Sequence, residues 1–312
     1  MLHSLSATPR RAPVLRTAAT LLFALAPLAA CGDDDAVGPG EARTVTELAA
    51  ETPQLSTLTT ALETANLAEA LDGGGPFTVF APVNDGFTAL PAGTVDALLA
   101  TDNRPILTAL LQHHVVPGTW RAADLSDGQE LITLAGDTLT VGVAGDDVTV
   151  DGVAVRTADV AASNGVVHLI DGVLTEGLDA VQRARVTPSL SALVAAVEAA
   201  GLDEALADDG SGTGLTLFAP TNDAFAAFGD TLPSDPGTLI PLLQAHAAPG
   251  RVLAADLSDG QMLTTLSGVT LTVEVEGSTV RLVGPNNTVT VVTADIRTSN
   301  GVVHLIDGVL RP

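Results

Sequence analysis

The sequence predicts an α+β protein built as two tandem copies of one domain, and three observations carry that expectation. The twelve residues SNGVVHLIDGVL occur unchanged at 163–174 and again at 299–310. Other segments repeat in the same order. TPQLSTLTTALETANLAEAL (52–71) matches TPSLSALVAAVEAAGLDEAL (187–206) at 12 of 20 positions. FTVFAPVNDGF (77–87) matches LTLFAPTNDAF (215–225), and LLQHHVVPG (110–118) matches LLQAHAAPG (242–250). Within each copy, finally, the apolar pattern changes from a helical period to an alternating one. A spacing of about 135 residues suits a whole domain rather than a solenoid repeat. With 312 residues, 46% of them hydrophobic, the chain can furnish two cores.

In the first copy Leu55, Leu58 and Leu62 fall on one face of a helix. FTVFAP reads as a short buried strand ended by Pro82. Asn84 and Asp85 then offer side chains suited to starting the helix that carries Phe87. GTVDALLA and RPILTALLQHH predict two further helices. Beyond VVPG the period falls to two, and LTVGV, VTV, VAVRTADVAA and VVHLID predict strands. Asp151-Gly152 and Asn164-Gly165 predict two-residue hairpin turns, because a type I′ turn needs positive φ at both positions. In the last strand Val166, His168 and Ile170 face one side, and Val167 and Leu169 the other. A strand apolar on both faces belongs in the middle of its sheet. The connection TEGLDAVQRARVTP holds a predicted helix that opens the second copy, which leaves little free linker.

The N-terminus reads as an export signal. Basic PRRAPVLR precedes TAATLLFALAPLAA, a run shorter than the ~20 residues of a membrane span and suited to a signal core. It ends in LAAC, which resembles a lipobox, and lipidation accounts for the chain's one thiol, Cys31. The expected organisation is a signal peptide over 1–30, a lipidated cysteine with an acidic tether over 31–42, a first domain over 43–178 and a second over 179–312. The protein is then exported and lipid-anchored at the cell envelope or surface, touching the membrane through its anchor only. The single cysteine leaves no disulfide, so both domains rest on core packing. A net charge of −24 repels nucleic acid and anionic headgroups, and neither is an expected partner.

His114, His168, His246 and His304 stand at matching places in the two copies. A metal centre needs several converging ligands, usually closely spaced on one element. Only His113 and His114 are adjacent, and adjacent residues do not face one point. The four motif histidines are therefore expected to hold backbone groups, and no metal or other cofactor is expected. Ser163, His168 and Asp171 bring hydrolase residue types together, but a strand turns His168 and Asp171 to opposite faces. No GxSxG elbow is present, and no enzymatic activity is expected. Asp146-Asp147 and Asp208-Asp209 lack the spacing of a calcium loop.

The three motif pairs, FTVFAPVNDGF with LTLFAPTNDAF, LLQHHVVPG with LLQAHAAPG, and the two SNGVVHLIDGVL segments, resemble those of the fasciclin-like (FAS1) domain over residues 43–312. The resemblance implies, for each copy, a wedge-shaped β-sandwich with a helical bundle on one side. It also implies secreted or surface-anchored proteins that bind other molecules, often in cell adhesion, with no general enzymatic activity. The family's central motif has a Tyr before its His, a pair linked to adhesion in animal members; here that position is His113 in one copy and Ala245 in the other. Animal members use an Asp-Ile pair upstream of the last motif for integrin contact. The matching Asp159-Val160 and Asp295-Ile296 are the candidate binding surface. The expectation is a non-enzymatic binding protein in adhesion or matrix contact, with a surface or matrix protein or polysaccharide as partner. The alternative is a periplasm-facing binder of a small apolar ligand or envelope component.

Overall fold

The computed structural model describes residues 43–145, 147–207, 212–229, 233 and 235–312. The signal peptide, Cys31, the tether, Asp146, Asp208 and Asp209 lie outside the described residues. The first domain begins with α1 (Val45–Glu51), whose Thr44 and Glu47 form a reciprocal capping box. There follow α2 (Ser56–Ala65), α3 (Ala68–Asp72), β1 (Phe77–Pro82), α4 (Asn84–Thr88), α5 (Thr94–Leu99) and α6 (Arg104–His113). The stranded half then runs through β2 (Val115–Pro117), β3 (Glu130–Ile132), β4 (Thr138–Ala144), β5 (Asp147–Val150), β6 (Val153–Ala162) and β7 (Gly165–Ile170).

The second domain repeats this order with α7 (Ala180–Arg185), α8 (Ser191–Ala200), α9 (Asp203–Ala207), β8 (Leu215–Pro220), α10 (Asn222–Phe228) and α11 (Pro236–Gln244). Its later strands are β9 (Ala247–Pro249), β10 (Met262–Thr264), β11 (Thr270–Glu276), β12 (Thr279–Val283), β13 (Thr288–Thr298) and β14 (Gly301–Ile306).

Each domain has one seven-stranded sheet, ordered β2-β1-β7-β6-β5-β4-β3 in the first and in the equivalent order in the second. The sheet bends back on itself until its two ends nearly meet: Leu134 N–H donates to Val115 O at 2.8 Å, and Leu266 N–H to Ala247 O at 2.7 Å. The repeated phrase supplies an interior strand of each sheet. β7 pairs in parallel with β1 and antiparallel with β6. Its two faces serve two cores. Val167 and Leu169 join Val79 and Ala81 under the helices, together with Leu55, Leu107 and Leu110. Ile170 and Phe80 point instead into the folded sheet with Leu131, Leu139, Val141 and Val150. Each such side chain contributes ~1.5–3 kcal/mol by leaving water.

Two local expectations need correction. Asn84 is the first residue of α4, but its side chain does not cap that helix. Its Oδ1 accepts from Thr57 N at 3.1 Å and its Nδ2 donates to Pro53 O at 3.0 Å, so it caps the first turn of α2 from a distance. Asn222 does the same for α8 through Ala192 N at 2.9 Å. The second turn is Ser163-Asn164, and Gly165 already belongs to β7. Glycine is required there because a Cβ would fall on the Phe77 carbonyl oxygen; Gly301 stands in the same relation to Leu215. The Asp151-Gly152 turn forms as expected, with φ of 47° and 77°.

Candidate functional site

The motif histidines are buried, and each has both ring nitrogens engaged by backbone. His114 ends α6, where Nδ1–H donates to Leu110 O at 2.7 Å and Nε2 accepts from Leu174 N at 2.9 Å. His246 repeats this with Leu242 O at 2.8 Å and Leu310 N at 2.9 Å. These rings tie the segment after the last strand to the end of the preceding helix. Burial holds them neutral, lowering the pKa of His114 to about 3 and of His246 to about 4.

His168 stacks on Phe80 with centroids 5.4 Å apart, and His304 on Phe218 at 5.7 Å. Asp159 N–H donates to His168 Nδ1 at 3.3 Å, which leaves Nε2–H to donate to Trp120 O at 2.8 Å. In the second domain Asp295 N–H, His304 and Val252 O make the same chain at 3.3 and 2.9 Å.

Asp159 and Asp295 are exposed, and each has a left-handed backbone, with φ of 61° and 60°, in the middle of a strand. The pairing of β6 with β7 slips on either side of Thr157, and that of β13 with β14 on either side of Thr293. These are β-bulges, and Asp tolerates their geometry better than most residues. One carboxylate oxygen of each is occupied: Asp159 Oδ1 accepts from Ala122 N at 2.9 Å and Asp295 Oδ1 from Ala254 N at 2.7 Å. The neighbouring Val160 and Ile296 are half-buried and pack on the helical cores. Asp171 lies beyond His168 on the surface and pairs with Arg156 Nε.

Sequence reasoning passed over a third constellation. His113, 1% exposed, lies between two carboxylates brought in by separate turns. Its Nε2 is 3.2 Å from Asp151 Oδ2, and its Nδ1 is 2.8 Å from Asp137 Oδ2, a close contact that lies off the N–H direction. Burial works to lower the His113 pKa, but its close contacts with the two aspartates outweigh burial and raise it to about 9. Burial likewise pushes Asp137 up, yet His113 and Thr133 hold its carboxyl below the usual range. The cluster opens on a cleft of about 330 Å³ that also takes in Glu176 and Gly177 of the connecting segment and Arg251, Thr298 and Ser299 of the second domain. The available signal was the pair His113-His114 where the second copy reads Ala245-His246. Among the described residues, no three His, Cys, Asp or Glu side chains converge in a way that could hold a metal ion.

Two copies of a helix-backed, nearly closed sheet, with the same histidine and bulge networks in each, define a tandem fasciclin-domain protein. The fasciclin domain family matches residues 53–176 and 188–312, and the chain belongs to it. Protein sll1483 of Synechocystis sp. is 50% identical over 133 residues, covering 43% of this chain and 73% of that protein. Human periostin is 32% identical over 83% of this chain, and transforming growth factor-beta-induced protein ig-h3 of Sus scrofa is 33% identical over 80% of it. The chain spans only 30% and 36% of the length of those two proteins. A solved FAS1 domain pair from the insect cell adhesion molecule fasciclin I aligns with 82% of this chain and 96% of its own, at 20% identity and a TM-score of 0.39. No helix among the described residues is long and apolar enough to cross a membrane.

Proposed function

We propose that this protein is a non-enzymatic binding protein of the cell surface or envelope, acting in adhesion or matrix contact. It presents the bulge at Asp159-Val160 and its copy at Asp295-Ile296 to a protein or polysaccharide partner. The observation that carries this reading is an exposed aspartate in left-handed backbone at the same strand position of both domains. Such backbone costs ~1–3 kcal/mol and persists where surrounding bonds over-determine it. Here the aspartate N–H, its carboxylate and the histidine behind it supply those bonds, so the surface is ordered before a partner arrives. Two equivalent sites add avidity towards a repetitive partner. In the same reading Cys31 carries the lipid anchor, and the dozen tether residues reach up to ~40 Å from it.

The test is titration of the chain onto producing cells and their isolated matrix. In the comparison protein Asp159→Asn is combined with Asp295→Asn. Asn tolerates the left-handed backbone and keeps an oxygen for Ala122 or Ala254 N–H, so the change removes charge and little else. Saturable binding is expected, weakened about tenfold or more in the double variant, with thermal unfolding unchanged. Absence of binding by the unaltered chain, or equal binding by the double variant, overturns the reading.

A further inference from the structure

The His113 cluster is more than a satisfied core histidine, because it touches the segment that joins the two domains. A Cβ on Gly177 would collide with the His113 ring at Cγ and Nδ1, so the connecting backbone lies directly on the imidazole. Every charged group around the ring can be named. Asp137 comes from the turn between β3 and β4, and Asp151 from the turn between β5 and β6. Glu176 comes from the connector and Arg251 from the second domain, while the neighbouring His114 ring is neutral. Burial and the charge of Asp151 raise the Glu176 pKa, and Arg297, His113 and Arg251 act against that rise. Asp151 cannot swing away. Its side chain is 5% exposed, its Oδ1 accepts from Thr140 N at 2.7 Å, and its N–H donates to Thr140 O at 2.8 Å.

The second domain shows what the fold needs in these places. Ala245 stands for His113, Val269 for Asp137 and Val283 for Asp151. All three positions change together, from charged to apolar; β11 and β12 pair in the register of β4 and β5, while the two-residue turn at Asp151-Gly152 gives way to a longer loop over 284–287. The second domain closes its sheet without such a cluster, which in the first domain faces the junction.

We infer that His113 is a proton-operated latch on the domain junction: as a cation it binds Asp137 and Asp151 and seats the connector at Gly177, and as a neutral ring it releases the connector. The release follows from charge. A neutral imidazole has one N–H for two carboxylates, so one aspartate then faces a lone pair. Its proton passes to hydroxide in solvent, and Asp137, Asp151 and Glu176 are left around the connector with one cation fewer. Their mutual repulsion is relieved by moving the segment at Glu176-Gly177, since Asp151 is held by Thr140. A loosened junction changes whether two equivalent surfaces can engage one partner together.

The chain suits the experiment. It has no Lys and no Tyr, so between about pH 8 and pH 11 the other groups that ordinarily titrate are Cys31 and the amino terminus. Hydrogen exchange of the full chain, corrected for intrinsic rates, is followed across that range at residues 174–179. Protection of these amides is expected to hold near neutrality and to fall about tenfold or more, with a midpoint near pH 9. The residues that match its start, Leu310 and Arg311 behind Ala245, are expected to stay flat. Asp137→Asn removes one of the two carboxylates and should lower the midpoint by about one pH unit or more. The imidazole itself, read by NMR in the unaltered chain, should titrate with the same midpoint. Protection that stays flat through pH 10.5, a midpoint unmoved by Asp137→Asn, or a ring that titrates near its ordinary value would each overturn the latch.

Discussion

The two domains share a backbone, and the side-chain bonds they share are chiefly bonds to that backbone, whereas their ion pairs are not shared. Several side chains that bond to backbone are repeated in both domains. Asn164 joins β7 to the helices through Val45 N and Leu71 O, and Asn300 does so through Ala180 N and Leu206 O. Thr78 and Thr216 bridge Gly118 O to Trp120 N and Gly250 O to Val252 N. The motif histidines and the bulge aspartates follow suit. Among the described residues, no ion pair of one domain recurs in the other. Arg156 reaches Asp85 and Asp171, where the second domain has Val292. Arg185 reaches Glu198 and Asp203, where the first has Ala50 and Ala68 opposite Glu63. A backbone group is present whatever residue carries it, so its partner has one side chain to keep. An ion pair needs two, and either alone is of little use.

The sharpest way to break this comparison is to remove the shared bonds. His114→Ala strands a buried N–H and a carbonyl and leaves a cavity, which should lower the unfolding free energy of the first domain by about 3 kcal/mol. His246→Ala should cost the second domain about the same, as read by urea unfolding of each variant. Markedly unequal losses would mean that the shared bonds do not bear the same weight. The same rings set the acid limit. Their folded pKa values lie below the ordinary 6.5, so the stability they confer is full above that pH. It is lost as pH falls towards about 3 for His114 and about 4 for His246.

A smaller effect of opposite sign is expected at Arg183, which occupies the place of Leu48 in the first domain. Its Nε and Nη1 are buried without a hydrogen-bond partner, and burial alone lowers its pKa. Arg183→Leu should raise the stability of the second domain by about 1 kcal/mol, seen as a higher melting temperature. A drop would show that the guanidinium is compensated after all. The smallest effect belongs to Arg156→Ala. With the arginine and both carboxylates substantially exposed, it should cost about 0.5 kcal/mol or less, and 0.5 M salt should erase the difference.

What the sequence made legible follows the same division. Duplication exposed the motif histidines and the last strand, and VVHLI was placed correctly inside its sheet because both of its faces are apolar. The first helix, α1, was passed over although Thr44 and Glu47 spell a capping box, since its apolar positions cover less than two turns. The role of Asn84 was misassigned because its partners lie 27 to 31 residues away, on a helix that local reasoning cannot bring near. The His113 cluster escaped for a related reason. Asp137 and Asp151 meet the ring only after two hairpins have folded over it, and no spacing rule connects the three.

The parallel pairing of β1 with β7 has a consequence for how the chain is made. Phe77 waits for Gly165, 88 positions later, before β1 has its parallel partner, and Leu215 waits 86 positions for Gly301. Sheets closed over such separations assemble slowly. The two closing strands are also identical, GVVHLI in both, so each fits either domain's waiting edge. On a chain emerging from its N-terminus this ambiguity never arises, because the first copy arrives and pairs before the second has been synthesised. Refolding from denaturant offers both copies at once and opens a strand-exchanged product that competes with the native one. The order of arrival, which no final coordinate records, is then part of what specifies the fold.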